Sequence, residues 1–326
     1  MDVDSLKKVE FERQGGLMSV IVLAYHSDDK LERVVSDLEK CMAPQAIPYE
    51  LVIIDDGSAD DTFRNAQHLE RTHEVVRAFR LSRNYTSHYA AFAGLTVVKG
   101  DCVALIPDDG QQPYETLVEA YRLWESGSSI VFPYRKKREE SWVVKFWSLL
   151  FYRLLNVGAE VKVPRLGLDT WFVDREVVDI VNERISPIRT TTVSEILRLG
   201  FDPVFLPYTR KTREGRSRWS WRKKMRLAAD WFFSTSDILI KMIIWGGFAA
   251  LAISLVVTLI YVVMYIANLE AGSVLHENPG WTSLFIMSCL SLGLLLLASA
   301  INAQYLLRVY DEVKGRPGFI LRKHEG

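Results

Sequence analysis

The sequence has few of the residues that build disulfide frameworks or zinc sites. Its three cysteines, Cys41, Cys102 and Cys289, are widely separated, and its six histidines show no spacing typical of metal ligands. The 40 basic and 40 acidic residues leave a formal net charge of zero, which argues against general nucleic-acid binding. No Gly-x-Gly-x-x-Gly turn follows the first apolar run, which disfavours a nucleotide-dependent dehydrogenase.

Charged residues are also absent from two long apolar stretches, 243–266 and 282–307. Each stretch is long enough to cross about 30 Å of hydrocarbon as a helix. Lys and Arg flank the pair on its outer sides, whereas the connecting loop contains Glu270 and Glu277 and neither Lys nor Arg. We therefore expect a transmembrane hairpin with both termini in the cytoplasm. Buried core helices of this length are the alternative.

The first two thirds of the chain alternate apolar runs with amphipathic stretches of helical length. The runs 17–24, 51–54, 75–81 and 103–106 are the candidate strands. This βαβ pattern predicts an α/β domain with a mostly parallel sheet. In such sheets, ligands bind beyond the carboxyl ends of the strands. The polar residues that follow each strand are therefore the candidate site residues.

Polar loops follow the first two candidate strands. Tyr25 and His26 come after the first, and Asp55, Asp56 and Gly57 come after the second. Carboxylates in this position can accept hydrogen bonds from a base edge or from ribose hydroxyls, and glycine permits a tight turn. The alternative is an ordinary acidic turn with a helix N-cap.

An acidic loop with Asp108, Asp109 and Gln111 follows the fourth candidate strand. Adjacent carboxylates at a strand end can hold a hard divalent cation against a diphosphate. The cation would neutralise charge on a departing nucleoside diphosphate. A solvated Asp-Gly turn is the alternative.

The order and spacing of these motifs resemble family 2 glycosyltransferases of the GT-A fold, specifically the polyprenyl-phosphate glycosyltransferases. That group includes bactoprenol glucosyltransferases and dolichyl-phosphate mannose synthases. The resemblance covers nearly the whole chain, and the matching segments are 52–58, 82–84, 90–95, 107–113, 151–156, 168–175, 210–217 and 310–317.

The resemblance implies a role for each matching position. It implies Mg²⁺ or Mn²⁺ bound by Asp108, Asp109 and Gln111, and it places Asp169 nearest the acceptor nucleophile, with Asp109 as the second catalytic residue. The nucleotide-sugar donor would contact Ala24, Tyr25, Asp55, Asp56, Gly57, Arg83, Asp108 and Gln111, and the acceptor phosphate would contact Arg210, Arg213 and Ser217. The basic run that contains these arginines could also tether the chain to anionic lipid.

Two positions depart from the family pattern. His26-Ser27 stands where Asn-Glu is usual, and Pro107 stands where the first carboxylate of Asp-x-Asp-x-Gln belongs. Asp108 could replace that carboxylate by a local shift. Alternatively, Asp109, Gln111 and phosphate oxygens could hold the metal without it.

The expected organisation is an N-terminal extension (1–16), a GT-A domain (17–210), a basic amphipathic juxtamembrane segment (211–241), the two-helix hairpin (242–307) and a cytoplasmic tail (308–326). Stretches 142–155 and 219–240 have the composition of helices that lie on a bilayer, although packing against the domain would also explain them. We expect an enzyme of the inner membrane that forms a homo-oligomer. Its expected substrates are a nucleotide sugar, with a UDP-sugar favoured, and undecaprenyl phosphate.

The expected reaction is inverting sugar transfer for cell-envelope glycans. The alternatives are a catalytically degenerate membrane scaffold and a transferase with a non-lipid acceptor. A processive polysaccharide synthase is disfavoured because the chain has only two expected spans and lacks the Gln-x-x-Arg-Trp motif. A transporter is disfavoured because two uncharged helices offer no polar pathway across the membrane.

Overall fold

A computed structural model describes residues 13, 15–136, 168, 170–188, 190–209, 245–249, 252, 256, 259, 263 and 280–322. The chain divides into two units, one of residues 1–235 with 317–326 and one of residues 236–316. The predicted domain boundaries stay predictions. The predicted surface helices 142–155 and 219–240 lie outside the described residues.

The first unit alternates strands and helices along the chain. The strands are β1 (Met18–Ala24), β2 (Tyr49–Asp55), β3 (Val76–Arg80), β4 (Cys102–Pro107), β5 (Ile130–Arg135), β6 (Phe172–Asp174) and β7 (Val204–Tyr208). The helices are α1 (Leu31–Met42), α2 (Thr62–Thr72), α3 (Ser87–Leu95), α4 (Glu115–Glu125), α5 (Arg175–Arg184) and α6 (Thr192–Arg198), with a short 3-10 turn at Ala43–Gln45. The predicted α/β class is confirmed.

The seven strands form one sheet in the order β3-β2-β1-β4-β6-β5-β7. Strands β3, β2, β1 and β4 run parallel to one another, β6 runs antiparallel to β4 and β5, and β7 is parallel to β5. The sheet is therefore mostly parallel, as predicted. Because four neighbouring strands share a direction, their carboxyl ends lie at one edge, and the loops after them can meet there.

Apolar cores cover both faces of the sheet. Val20 and Val22 face one core, which includes residues of α1, α2 and α4, whereas Ile21 faces the other, with residues of α3, α5 and α6. The four predicted runs coincide with β1 to β4 to within two residues at each end. β1, β2 and β4 are mainly apolar because they are buried on both faces, whereas the edge strand β3 alternates buried Val76 and Ala78 with the half-buried Arg77. The sheet edge is then the place where polar side chains can meet a ligand.

The second unit contains a long helix, α7 (Gly280–Val313), which includes the predicted second span 282–307. Residues 245–249 within the predicted first span are helical, and most of the rest of that span lies outside the described residues. Among the residues that the structure describes, no helix has both the length and the apolar character needed to cross a membrane. Both spans stay predictions.

A buried carboxylate, Glu50, lies near the amino end of β2, at the sheet edge opposite the predicted site. Its Oε1 accepts hydrogen bonds from the Ser19 hydroxyl and the Lys99 N–H, each at 2.6 Å, and Arg77 Nη1 lies 3.0 Å from Oε2. Burial raises the pKa of Glu50, but these hydrogen bonds and the charge of Arg77 outweigh burial and leave the pKa lowered. Glu50 is therefore held ionised in the fold.

We expect Glu50→Gln to lower the free energy of unfolding by about 1–3 kcal/mol at neutral pH, because Arg77 loses its charged partner. The folded-state pKa lies below the unfolded one, so the stability from ionised Glu50 is present above the unfolded pKa and lost as pH falls through the folded pKa. Urea denaturation of both proteins should show the stability difference shrinking over that acid range. A stability difference that stayed constant with pH would contradict the conclusion that Glu50 is ionised in the folded protein.

Candidate active site

The loops after β1, β2 and β4 meet at the carboxyl edge of the sheet. The Ser27 hydroxyl donates to the Asp108 carboxylate and so links the β1 loop to the acidic loop. The Ser27 N–H donates to Thr62 Oγ1 at 2.8 Å, and the His26 N–H donates to Ser58 Oγ at 3.1 Å, which links the β1 loop to the segment after β2. The structure therefore brings together the three loops that the sequence predicts as one site.

Asp55, the last residue of β2, is fully buried. Its Oδ1 accepts hydrogen bonds from the Ser58 N–H at 3.0 Å and from the Ser58 hydroxyl, and Arg80 Nε lies 3.1 Å from Oδ2. Burial raises the pKa of Asp55, and the bonds from Ser58 with the charge of Arg80 offset this only in part. These contacts let Asp55 stabilise the turn after β2, whereas its contact with a nucleoside stays a prediction.

Asp56 connects the end of β2 to the loop after β3. Its backbone N–H donates to Ala24 O at 2.9 Å, and its carboxylate accepts the N–H groups of Tyr85 and Thr86 at 2.7 and 2.9 Å. Hydrogen bonds to the ionised form of a carboxylate are stronger than neutral ones. Asp56 therefore holds the loop after β3 against the end of β2.

Gly57 leaves room for that loop. Its φ is +66°, and a Cβ at this position would lie 2.3 Å from the carbonyl carbon of Arg83 and 2.7 Å from the Asn84 nitrogen. Both the backbone conformation and the close approach require glycine. The predicted donor residues Gly57 and Arg83 are thus in direct backbone contact.

Arg83 and Tyr85 form a cation–π pair in this loop. The guanidinium carbon of Arg83 lies 4.3 Å from the centre of the Tyr85 ring, and Ser82 Oγ lies 3.1 Å from the Tyr85 hydroxyl. The hydrogen bond with Ser82 lowers the pKa of Tyr85, and Arg83 adds to this effect against the opposing effect of burial. A cation and an aromatic ring beside the Asp56 loop are suitable contacts for a nucleotide.

The acidic loop after β4 contains two buried amide side chains. Gln111 and Gln112 are 3% and 5% exposed, and neither their amide nitrogens nor their amide oxygens have a hydrogen-bond partner among the described residues. Asp109 is exposed, and its Oδ1 accepts the Gln111 N–H at 3.2 Å. Buried polar groups are nearly always paired in native proteins. The unpaired amides therefore mark this loop as a place where water or a polar ligand can complete the hydrogen bonds.

The predicted metal ligands lie together in this loop. Asp108, Asp109 and Gln111 offer carboxylate and amide oxygens, which suit Mg²⁺ or Mn²⁺ better than softer metals, and the unpaired Gln111 amide is free to contribute one of them. Within the described part of the chain, no group of three or more His, Cys, Asp or Glu side chains is arranged to hold a metal ion. A metal held here would therefore also need the amide oxygen and the phosphate oxygens of a substrate.

The predicted acceptor residues Asp169, Arg210, Arg213 and Ser217 lie outside the described residues. Thr170, which follows Asp169 in the chain, is among the described residues. The Leu105 N–H of β4 donates to Trp171 O at 3.0 Å, which places the chain before β6 beside the end of β4. Thr170 is 3% exposed, and its hydroxyl has no partner among the described residues, so it is a further candidate ligand group near the acidic loop.

Four residues of this edge were not among the predicted site residues: Ser27, Arg80, Gln112 and Thr170. Arg80 could have been found, because it is a charged residue at the end of a predicted apolar strand next to the one that ends in Asp55. The roles of Ser27 and Gln112 depend on contacts and burial that no local pattern reports. Tyr25, the remaining predicted donor residue, lies in the β1 loop with its ring centre 4.2 Å from that of His26.

We expect Gly57→Ala to weaken binding of UDP by about tenfold, because the added methyl group displaces the Arg83 loop. Gly200→Ala is the matched control, since Gly200 also has a positive φ, of +81°, but no atom within 4 Å of a built Cβ. Both variants share a backbone cost of about 1–2 kcal/mol. UDP titration of the purified proteins measures the difference, and equal affinities would contradict the assignment of this loop.

Comparison with known proteins identifies the family of this domain. Residues 19–179 match the model of Glycosyl transferase family 2. The matched range begins in β1, ends in α5 and includes the four parallel strands and the acidic loop.

Relatives match nearly the whole chain. An uncharacterised glycosyltransferase of Synechocystis sp. is 29% identical over 307 residues, which cover 93% of this chain and 94% of the relative. A bactoprenol glucosyl transferase from a Shigella flexneri prophage is 26% identical, with 95% and 99% covered. An undecaprenyl-phosphate 4-deoxy-4-formamido-L-arabinose transferase of Proteus mirabilis is 24% identical, with 95% and 94% covered. Residues 19–179 thus form a GT-A-like domain of glycosyl transferase family 2, and the protein is a glycosyltransferase.

Proposed function

We propose that this protein transfers a sugar from a nucleoside-diphosphate donor, a UDP-sugar by preference, to a polyprenyl phosphate such as undecaprenyl phosphate. The observation that carries the proposal is the carboxyl edge of the sheet, where the Asp56 loop, the Arg83–Tyr85 pair and the unpaired amides of the acidic loop converge. Two relatives named for different sugars share a polyprenol acceptor in their names, which supports the lipid rather than any one sugar.

The donor half of the site divides into two parts. The segment after β3, held by Asp56, would contact the nucleoside, and the acidic loop would contact the diphosphate. Asp108, Asp109 and Gln111 would hold Mg²⁺ or Mn²⁺, which supplies charge neutralisation to the departing diphosphate. Ser27 fixes the orientation of Asp108 through its hydrogen bond.

The acceptor needs little activation by a base. A phosphate monoester with a second pKa of about 6 is already mostly dianionic at neutral pH. Asp169 would orient the acceptor, and Arg210, Arg213 and Ser217 would bind its phosphate oxygens. An acceptor oxygen then attacks the anomeric carbon as the bond to the diphosphate breaks, which inverts the configuration at that carbon. Positioning and charge neutralisation would provide most of the rate enhancement.

A membrane location fits a lipid acceptor. In α7, Leu292, Leu294, Leu295 and Leu296 are each more than half exposed, and contiguous apolar exposure of this kind is typical of contact with lipid or with another apolar surface. We infer that α7 and the stretch 243–266 anchor the enzyme in the inner membrane with its catalytic domain and both termini in the cytoplasm, as the distribution of Lys and Arg predicts.

A catalytically degenerate scaffold is the second candidate function. It is favoured by Pro107, which occupies the position of the first carboxylate in the family pattern and is still paired with Leu23 as part of β4. Direct assay of the reaction separates the two candidates.

We expect purified full-length protein with undecaprenyl phosphate and Mn²⁺ to move label from one of a panel of radiolabelled UDP-, GDP- and dTDP-sugars into an organic-extractable lipid. A chelator should abolish the transfer. If no donor labels the lipid while folded protein still binds a nucleotide, the scaffold or a non-lipid acceptor replaces this proposal. If transfer persists in the presence of chelator, the proposed reaction stands but the proposed metal requirement is wrong.

Asp109→Asn should lower the transfer rate by about 100-fold, equivalent to about 3 kcal/mol of transition-state stabilisation, because a metal ligand is lost. Asp179→Asn is the control: Asp179 is an exposed carboxylate on α5, 3.8 Å from Arg175 Nη1, and its replacement should leave the rate unchanged. Initial rates at saturating donor and acceptor provide the comparison. A near-normal rate for Asp109→Asn would contradict the assignment of Asp109 as a metal ligand and catalytic residue.

A further inference from the structure

The chain returns to the first unit after α7 and adds to the exposed edge of β3. Residues 317–322, here called the C-terminal strap, run antiparallel to the end of β3 through a bridge between Leu81 and Leu321. The Ser82 N–H donates to Ile320 O and the Arg322 N–H donates to Arg80 O, both at 2.9 Å. Because β3 is the first strand in the sheet order, the strap binds backbone groups that the sheet itself leaves open.

The side chains of the strap alternate between the core and the surface, as in a strand. Phe319 and Leu321 pack against the core that contains α3, α5 and α6, whereas Ile320 is 50% exposed. Gly318 lies so close to its neighbours that a Cβ would be 2.6 Å from Pro187 Cγ and 3.2 Å from Tyr89 Cε1. The strap is thus fitted to this surface by two apolar side chains and one close backbone approach.

The strap contacts both ends of the segment that Asp56 holds. Ser82 lies directly before Arg83, and Tyr89 lies in α3, two residues after its start. Between these positions, the Tyr85 and Thr86 N–H groups bind Asp56, and Arg83 packs on Gly57. On the other side of the bridge, the carbonyl of Arg80 binds the strap while its guanidinium group pairs with Asp55.

We propose that the C-terminal strap is a positioning element of the donor site, which holds residues 82–86 in the conformation that binds the nucleoside diphosphate. The inference rests on the proposed function only in the identity of the ligand. Without the strap, Ser82 and Tyr89 would lose their outer contacts, and the segment between them would be held only from its inner side, by Asp56 and by the packing of Arg83 on Gly57. Nucleoside-diphosphate affinity would fall because binding would then have to order this segment.

Leu321→Ser tests the proposal, with Ile320→Ser as its matched control on the exposed side of the same strap. In full-length protein, we expect Leu321→Ser to raise both the dissociation constant for UDP and the KM for the donor sugar by about tenfold, or about 1.4 kcal/mol, with kcat within about twofold of wild type. Ile320→Ser should match wild type in the dissociation constant for UDP, in the KM for the donor sugar and in kcat. A strap that only protects the edge of β3 from aggregation would leave the affinity of the monodisperse protein unchanged, and that result would overturn the proposal.

Amide hydrogen exchange tests the same contact without substrate. Exchange at Ser82, Tyr85 and Thr86 should become faster in Leu321→Ser and in a chain that ends at Arg316, but not in Ile320→Ser, while exchange in β1 and β2 stays as in wild type. Unchanged exchange at these amides would overturn the proposal, as would faster exchange with unaltered UDP affinity. If wild-type protein bound no nucleoside diphosphate, the proposed function would fail, and exchange would still decide whether the strap orders this segment.

Discussion

The hydrogen bonds between the Asp56 carboxylate and the N–H groups of Tyr85 and Thr86 hold the proposed donor site of this enzyme together. They fix the loop after β3 against the end of β2, and Gly57 permits the contact because it has no side chain. The Arg83–Tyr85 pair takes its position from the same bonds. The proposed donor surface therefore depends on backbone groups that one carboxylate orders.

The two buried carboxylates of β2 differ in how completely the fold offsets the cost of burying their charge. Glu50, near the amino end, has several direct donors that lower its pKa, and its ionised form stabilises the fold. Asp55, at the carboxyl end, is fully buried and keeps a raised pKa despite Ser58 and Arg80. One strand thus has a satisfied charge at one end and an incompletely satisfied charge at the other. Local cost of this kind is typical of functional sites.

The parts of the fold that the sequence predicted are those that depend on local periodicity. β1, β2 and β4 are mainly apolar because they are buried on both faces, and the candidate loops follow from the common direction of β1 to β4. Contacts between distant residues were not predictable in this way. The strap is a short segment that binds β3 about 240 positions earlier in the chain, with Arg322 Nη2 at 3.5 Å from Ser82 O, and its pattern alone names no partner. The unpaired amides of Gln111 and Gln112 could be recognised only when their burial was known.

The two departures from the family pattern lie next to each other in the structure. Ser27 occupies a position where the pattern has Glu, and its hydroxyl donates to Asp108, which follows the Pro107 that replaces the first carboxylate. A glutamate at position 27 would place a second negative charge near Asp108, and like charges at this range disfavour ionisation of both. A serine instead donates a hydrogen bond to that carboxylate. The two departures are therefore coupled through one hydrogen bond, which makes Asp108 the carboxylate that the β1 loop positions.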